Sequence, residues 1–190
     1  MTRRTTTTDR FTTADLERLD LPEGWRAEII DGVLYMSKAP GWDHQEVVGR
    51  VALTLSAWAD EHWGRVNFGI GVIYAEDDNV IPDVVWVSDE RLAQGLDAAG
   101  HLNEVGPELV VEVQSPGAEN ARRDREAKLA LYSRRDALEY WIVDPVNRTI
   151  HQYHRPQGGP LQPRGVVAGD EWLTSDLLEG FAVVVSELWP

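Results

Sequence analysis

The run ELVVEVQSP, residues 108–116, constrains the fold of this chain more than any other feature. It is almost continuously apolar up to its closing proline, which is typical of a β-strand buried on both faces. Such a strand needs a covering layer on each side. Glu112, between two valines, is the exception, because a buried carboxylate is costly unless a partner or a cation compensates its charge. The sequence therefore predicts a central strand that carries a functional or ion-paired glutamate.

Further strands and helices are predicted around this central strand. The runs IPDVVWV, EYWIVDP, TIHQYHR and FAVVV favour strands, and 66–74 favours a glycine-containing strand before a polar turn at 76–79. In RAEIIDGVLYMS, the pair Asp31-Gly32 is a strong signal for a two-residue hairpin turn. Apolar residues or helix caps predict helices at residues 12–19, 43–63 and 119–135. The layout is an α/β (α+β) fold, a mixed sheet flanked by helices with an N-terminal β-hairpin.

The chain of 190 residues is long enough for one domain, predicted over residues 11–190 after a threonine-rich, disordered tail at 1–10. The absence of cysteine excludes disulfides and thiolate zinc sites, which favours the cytosol. With neither a signal peptide nor a long apolar segment, no membrane association is expected. The net charge of -14 argues against a general DNA-binding protein, although metal-ligating carboxylates contribute to such a charge.

Two acidic residues in apolar strands are the candidates for chemistry. Asp83 and Glu112 offer the hard oxygen ligands that Mg²⁺ or Mn²⁺ prefers. The alternative for Glu112 is a buried salt bridge or a position at a strand end in water. Gln114, two residues further, is expected on the same side of the strand, where its amide could orient a water molecule.

The helix at 119–135 concentrates basic residues in an otherwise acidic chain, namely Arg122, Arg123, Arg125, Lys128, Arg134 and Arg135. Asp124, Lys128 and Tyr132 lie four residues apart and should share one face. Arg122 and Arg123 are candidates for contacts with the phosphates of a substrate. His44 is a further candidate for a substrate contact. Lys128 is preferred over Gln114 as the catalytic group, because a lysine can offset the charge of a phosphate. The alternative is a surface ion pair between Lys128 and Asp124.

Six motifs in order carry a family resemblance. RAEIIDGVLYMS, His44-Gln45, IPDVVWVSDERL, ELVVEVQSP, RRDREAKLALY and EYWIVDP resemble the Uma-type restriction endonuclease family, from about Thr13 to the C-terminus. That family is assigned to the PD-(D/E)XK nuclease superfamily. The resemblance implies a restriction-endonuclease-like sheet with a magnesium site at Asp83 and Glu112, and Lys128 matches the helical lysine of the family. Gln114 and Gly117-Ala118 depart from the usual sequence of the loop after the glutamate strand.

Three hypotheses of function follow from these residues. The first is a Mg²⁺- or Mn²⁺-dependent endonuclease that hydrolyses DNA phosphodiester bonds, in which Asp83 and Glu112 bind the metal. The second is a catalytically silent nuclease-like fold that acts as a binding or assembly module, for example as a homodimer. The third is an acidic surface that mimics DNA and binds a basic protein.

Overall fold

The computed structural model describes residues 3–4 and 10–190. The helices are α1 (Thr13–Leu16), α2 (Trp42–Ala59), α3 (Asp89–Gly95), α4 (Ala118–Arg122) and α5 (Leu129–Arg134), with a π-helical segment (Arg123–Lys128) between α4 and α5 and a 3-10 helix at Val185–Leu188. The strands are β1 (Arg3–Arg4), β2 (Trp25–Ile30), β3 (Val33–Lys38), β4 (Arg65–Phe68), β5 (Val72–Ala75), β6 (Asp78–Val80), β7 (Val84–Val87), β8 (Leu102–Asn103), β9 (Leu109–Val113), β10 (Glu139–Asp144), β11 (Thr149–His154), β12 (Gln162–Ala168), β13 (Trp172–Thr174) and β14 (Ala182–Val184).

The strands form two six-stranded sheets and one small pair. The hairpin sheet has the order β1-β3-β2-β6-β5-β8, and the central sheet has the order β12-β11-β10-β9-β7-β4. In the central sheet β9 and β10 run parallel, whereas β7 pairs with β9 antiparallel. β13 and β14 pair separately. The expected mixed sheet with flanking helices is therefore confirmed.

The central sheet is covered on both faces, as the apolar run of β9 predicts. Alternate residues of β9, including Val111, pack with α2 and with the C-terminal segment in one apolar cluster. Val110 packs on the opposite face, in a second cluster that contains Leu131 and Tyr132 of α5. Because successive side chains of a strand point to opposite faces, Glu112 lies on the same face as Val110 and Tyr132. The fold thus places this carboxylate beneath the helix that carries Lys128.

Most of the elements expected from the sequence are present. The turn between β2 and β3 has positive φ at both Asp31 and Gly32, as a two-residue hairpin of type I′ requires. The single strand expected at 66–74 is wrong: β4 belongs to the central sheet and β5 to the hairpin sheet, and Gly69, with φ 64°, lies in the turn between them. Residues 76–79, expected to be a turn, include the start of β6.

Little of the expected disordered tail, residues 1–10, can be compared with the structure. Arg3–Arg4 pair with β3, and Arg10 forms ion pairs with Asp31 and Asp77, while the other residues of the tail lie outside the described part. No helix in residues 3–4 and 10–190 has the length and apolar character needed to span a membrane.

Candidate active site

Asp83 and Glu112 lie at neighbouring strands of the central sheet. Asp83 immediately precedes β7, and Glu112 lies in β9, the antiparallel partner of β7. Oδ2 of Asp83 accepts a hydrogen bond of 2.8 Å from the backbone N–H of Val113. This bond holds the Asp83 side chain against the end of β9, and both carboxylates line one cleft.

Glu112 is almost completely buried and has two donors on one oxygen. Its Oε1 accepts hydrogen bonds from Nζ of Lys128 at 2.8 Å and from the hydroxyl of Tyr132 at 2.6 Å. Burial raises the pKa of Glu112 to about 8; Lys128 opposes this shift and Asp83 adds to it. The carboxyl group therefore lies in a site that disfavours its negative charge, even with an ammonium group in contact.

Lys128 is also buried, between two carboxylates. Its Nζ lies 2.8 Å from Oε1 of Glu112 and 3.0 Å from Oε1 of Glu28, and the residue is only 1% exposed. Burial lowers the pKa of Lys128, but the attraction of these two carboxylates outweighs it and the net shift is upward. A surface ion pair between Lys128 and Asp124, the alternative considered from the sequence, is therefore wrong.

The π-helical segment explains how the helix presents its charged face to the cleft. It interrupts an otherwise continuous helix from α4 to α5, and short π segments of this kind are frequent at functional sites. Asp124, Lys128 and Tyr132 are each at most 1% exposed, which confirms that they share the buried face of this helix. The hydroxyl of Tyr140 also donates to the carbonyl oxygen of Asp124 at 3.0 Å, which anchors the segment to β10.

Glu28 is a residue of the cleft that sequence reasoning missed. It lies in β2 of the hairpin sheet and is 6% exposed. Its Oε1 accepts a hydrogen bond from the backbone N–H of Ile81 at 2.9 Å in addition to its contact with Lys128. Oε2 lies 3.6 Å from a terminal nitrogen of Arg123. The available signal was the same one that marked Glu112, a glutamate among apolar residues of a strand.

The basic residues of the helix are mostly engaged with carboxylates. Nε of Arg123 lies 3.1 Å from Oδ1 of Asp124, and the Arg123 side chain is 11% exposed at the cleft. The ion-pair partner of both Arg134 and Arg135 is Asp78. Arg122 is exposed and does not line the cleft. Only part of the basic patch expected from the sequence is therefore open to a phosphate.

His44, at the start of α2, reaches the same cleft. Its Nε2 lies 2.8 Å from the carbonyl oxygen of Val113 and 3.4 Å from Oδ2 of Asp83. A carbonyl oxygen only accepts, so Nε2 carries a proton. Burial lowers the pKa of His44, but the hydrogen bond and charge of Asp83 outweigh it and the net shift is upward. The structure thus brings His44 together with Asp83, as the sequence suggested.

Gln114 is the sequence candidate that lies apart from this group. β9 ends at Val113, and Gln114 lines a different, mostly apolar pocket with Val47 and Trp189. Ser115 lines the cleft instead. The expectation that Gln114 lies beside Glu112 on one side of the strand is wrong, because the two-residue alternation holds only within a strand.

Asp83 and Glu112 each retain an oxygen that could face a cation. The hydrogen bonds and close contacts of Asp83 are to Oδ2, and those of Glu112 are to Oε1, so Oδ1 and Oε2 have no donor within the described part of the chain. Among those residues no group of three or more His, Cys, Asp or Glu side chains is arranged to hold a metal ion. Two carboxylates fit Mg²⁺, which commonly takes one or two and completes its shell with water and phosphate oxygens.

Comparisons with known proteins agree with this fold. A crystal structure of a "putative nuclease belonging to DUF820" from Anabaena variabilis ATCC 29413 is 14% identical, with a TM-score of 0.72 over 94% of this chain and 97% of that chain. At this identity the likeness shows the fold alone. Curated proteins gave no match. The model of the Uma2 family, described as "Putative restriction endonuclease", matches residues 13–186, which confirms the resemblance carried by the six motifs. This chain therefore belongs to the Uma2 family.

Proposed function

We propose that this protein is an endonuclease that hydrolyses phosphodiester bonds in DNA with a divalent cation, Mg²⁺ or Mn²⁺, held by Asp83 and Glu112. The observation that carries the proposal is the pair of carboxylates in the cleft, Asp83 and Glu112, each of which keeps one oxygen without a hydrogen-bond donor among the described residues. The charge of Asp83 disfavours the charged form of the buried Glu112. A divalent cation bound by these oxygens would compensate both negative charges. Four arginine and lysine side chains in the described part of the chain also line the cleft and suit a phosphate ligand.

The residues of the cleft have separate roles in this proposal. Asp83 and Glu112 supply the two oxygens without donors. When bound, the cation would polarise the scissile phosphate as a Lewis acid. Lys128 keeps Glu112 and Glu28 in place and offsets charge that develops on the phosphate. His44 holds the carboxylate of Asp83 and the end of β9 in a fixed relation.

Cation binding is the first test. Addition of MgCl2 or MnCl2 to protein in EDTA should raise the midpoint of thermal unfolding by several degrees, because a ligand that binds only the folded state stabilises it. Asp83→Asn and Glu112→Gln should each abolish the rise. Glu139→Gln is the matched control: Glu139 is also a buried strand glutamate, but Ser175, Asp176 and Leu177 satisfy one of its oxygens and it lies outside the cleft.

Cleavage of DNA by the same samples separates the candidate functions. Cation-dependent cleavage that is lost in Asp83→Asn supports the endonuclease. A cation-induced rise in the unfolding midpoint with every DNA substrate intact would instead favour the silent binding module. The absence of both effects would contradict the cation site itself.

Arg122 is expected to contact the DNA backbone. In EDTA, Arg122→Glu should weaken DNA binding. It should also make the negative slope of the logarithm of the binding constant against the logarithm of the salt concentration less steep by about one, as the loss of one phosphate contact does. Arg18→Glu, an exposed arginine beyond α1, changes the net charge equally and should have a smaller effect. Equal effects of the two variants would mean that only the overall charge matters. Reversal of Arg123 would break its ion pairs with Glu28 and Asp124 and is therefore a test of folding.

A further inference from the structure

A second pocket adjoins the cleft through His44, which lines both. Its wall is mostly apolar and includes Val47, Pro116, Pro145, Val146 and Trp189. Asp43 is the one carboxylate side chain among the described residues of its wall, and neither Asp83 nor Glu112 lines it. It is therefore chemically distinct from the charged cleft, although one histidine joins the two.

Three buried nitrogen atoms at this pocket lack a hydrogen-bond partner. They are Nε2 of Gln114, Nε1 of Trp189 and Nδ1 of His44, and they make up three of the four such side-chain atoms among the described residues. Gln114 and Trp189 are each only 7% exposed. Buried donors of this kind are uncommon in folded proteins because each forfeits its hydrogen bonds to water. The indole and amide nitrogens can only donate, so the pocket is suited to a ligand that carries acceptors.

The apolar wall and the unpartnered nitrogen donors together favour an aromatic heterocycle as the ligand. Its faces would meet the apolar wall, and its ring nitrogens or carbonyl oxygens would accept from Gln114 and Trp189. Arg148 also lines the pocket, is exposed, and forms no ion pair with a carboxylate in the described structure. Arginine commonly donates to the acceptors of guanine, and glutamine commonly pairs with the edge of adenine.

We propose that this pocket takes one unpaired nucleobase of the DNA strand whose phosphate lies at the cleft. The substrate is then a single strand or a strand with an unpaired base, since a base stacked and paired in a duplex must first be extruded. The assignment rests on the proposed function for the strand that enters the cleft.

Binding in EDTA tests the pocket without any cleavage. Fluorescence anisotropy at one fixed ionic strength compares three probes: a single-stranded DNA dodecamer, the same strand in a duplex, and a dodecamer of abasic tetrahydrofuran sites. The single strand should bind about tenfold more tightly than either of the others, because only it offers an accessible base.

One pair of variants assigns that preference to the pocket. Gln114→Leu should weaken single-strand binding about fivefold, the typical effect of one lost hydrogen bond, and should leave duplex binding unchanged. Gln152→Leu is the matched control, since Gln152 is equally buried but donates to the carbonyl oxygen of Thr174 at 2.8 Å away from the pocket. Gln152→Leu should lower the unfolding midpoint and keep the single-strand affinity. Should Gln114→Leu fail to fold, Trp189→Phe keeps an aromatic ring and removes only the donor.

Several results would overturn the nucleobase pocket. Equal affinity for the three probes, the absence of binding to all of them, or an equal loss in Gln114→Leu and Gln152→Leu would each do so. A failure of the pocket is distinguishable from a failure of the proposed function. Cation-dependent cleavage without a single-strand preference removes the pocket alone, whereas a Gln114-dependent single-strand preference without cleavage removes the endonuclease alone.

Discussion

Replacement of Lys128 by methionine should lower the rate of DNA cleavage by about two orders of magnitude or more, as loss of a transition-state charge contact typically does. Methionine fills much of the same space but leaves Glu112 and Glu28 without the ammonium group that lies within 3.0 Å of both. The same change should lower the free energy of unfolding by about 3–5 kcal/mol, because it leaves buried charge uncompensated. Single-turnover kinetics and urea unfolding measure the two effects.

The double variant Lys128→Met with Glu112→Gln separates stability from catalysis. A neutral amide removes the charge that Lys128 compensates, so part of the lost stability should return, while the cleavage rate should not rise above that of Lys128→Met. Gln114→Leu should reduce the cleavage rate at saturating substrate far less than Lys128→Met does, because Gln114 lines the other pocket. Wild-type cleavage by Lys128→Met would remove Lys128 from the chemistry.

Asp78→Ala should lower the free energy of unfolding by about 3 kcal/mol, since it breaks a buried hydrogen-bonded ion cluster. Oδ1 of Asp78 accepts from Arg134 at 2.7 Å and from the backbone N–H of Asp31 at 2.8 Å. Oδ2 accepts from Nε of Arg135 at 3.1 Å and from its terminal nitrogen at 2.7 Å. The estimate lies at the low end for a buried pair because both arginines are partly exposed and can regain water.

The loss of Asp78 should also reduce cleavage, because this residue connects the hairpin sheet, which carries Glu28, to the helix that carries Lys128. Asp77→Ala is the matched control. Asp77 is the neighbouring residue and also pairs with an arginine, but this pair is largely exposed, so its loss should cost less than about 1 kcal/mol. Unfolding curves that coincide for the two variants would show that burial of Asp78 contributes nothing.

The candidate residues that lie together in the cleft are those whose signal in the sequence is local. Glu112 is conspicuous because it interrupts an apolar strand, and Lys128 because it lies on the same helical face as Tyr132. Asp83 carries a similar signal beside the apolar run that becomes β7. Each of these patterns depends on neighbours within a few residues, where the periodicity of a strand or helix determines the direction of a side chain.

Contacts between distant segments were beyond such patterns. Glu28 meets Lys128 only because the hairpin sheet folds over the central sheet, and no periodicity within β2 shows this. Gln114 was misplaced because the strand ends one residue earlier. The run 66–74 was misread because Gly69 turns the chain from one sheet to the other, although both halves are suited to a strand.

The π-helical segment has a consequence for the relation between the two halves of its helix. One residue added to or removed from an α-helix rotates everything beyond it by about 100°. The wider turn at Arg123–Lys128 therefore changes the angle about the helix axis between residues before it, such as Arg122, and residues after it, such as Tyr132, relative to a regular α-helix. A chain shortened by one residue in this turn would regain regular α-helical hydrogen bonds and yet direct Tyr132 away from Glu112.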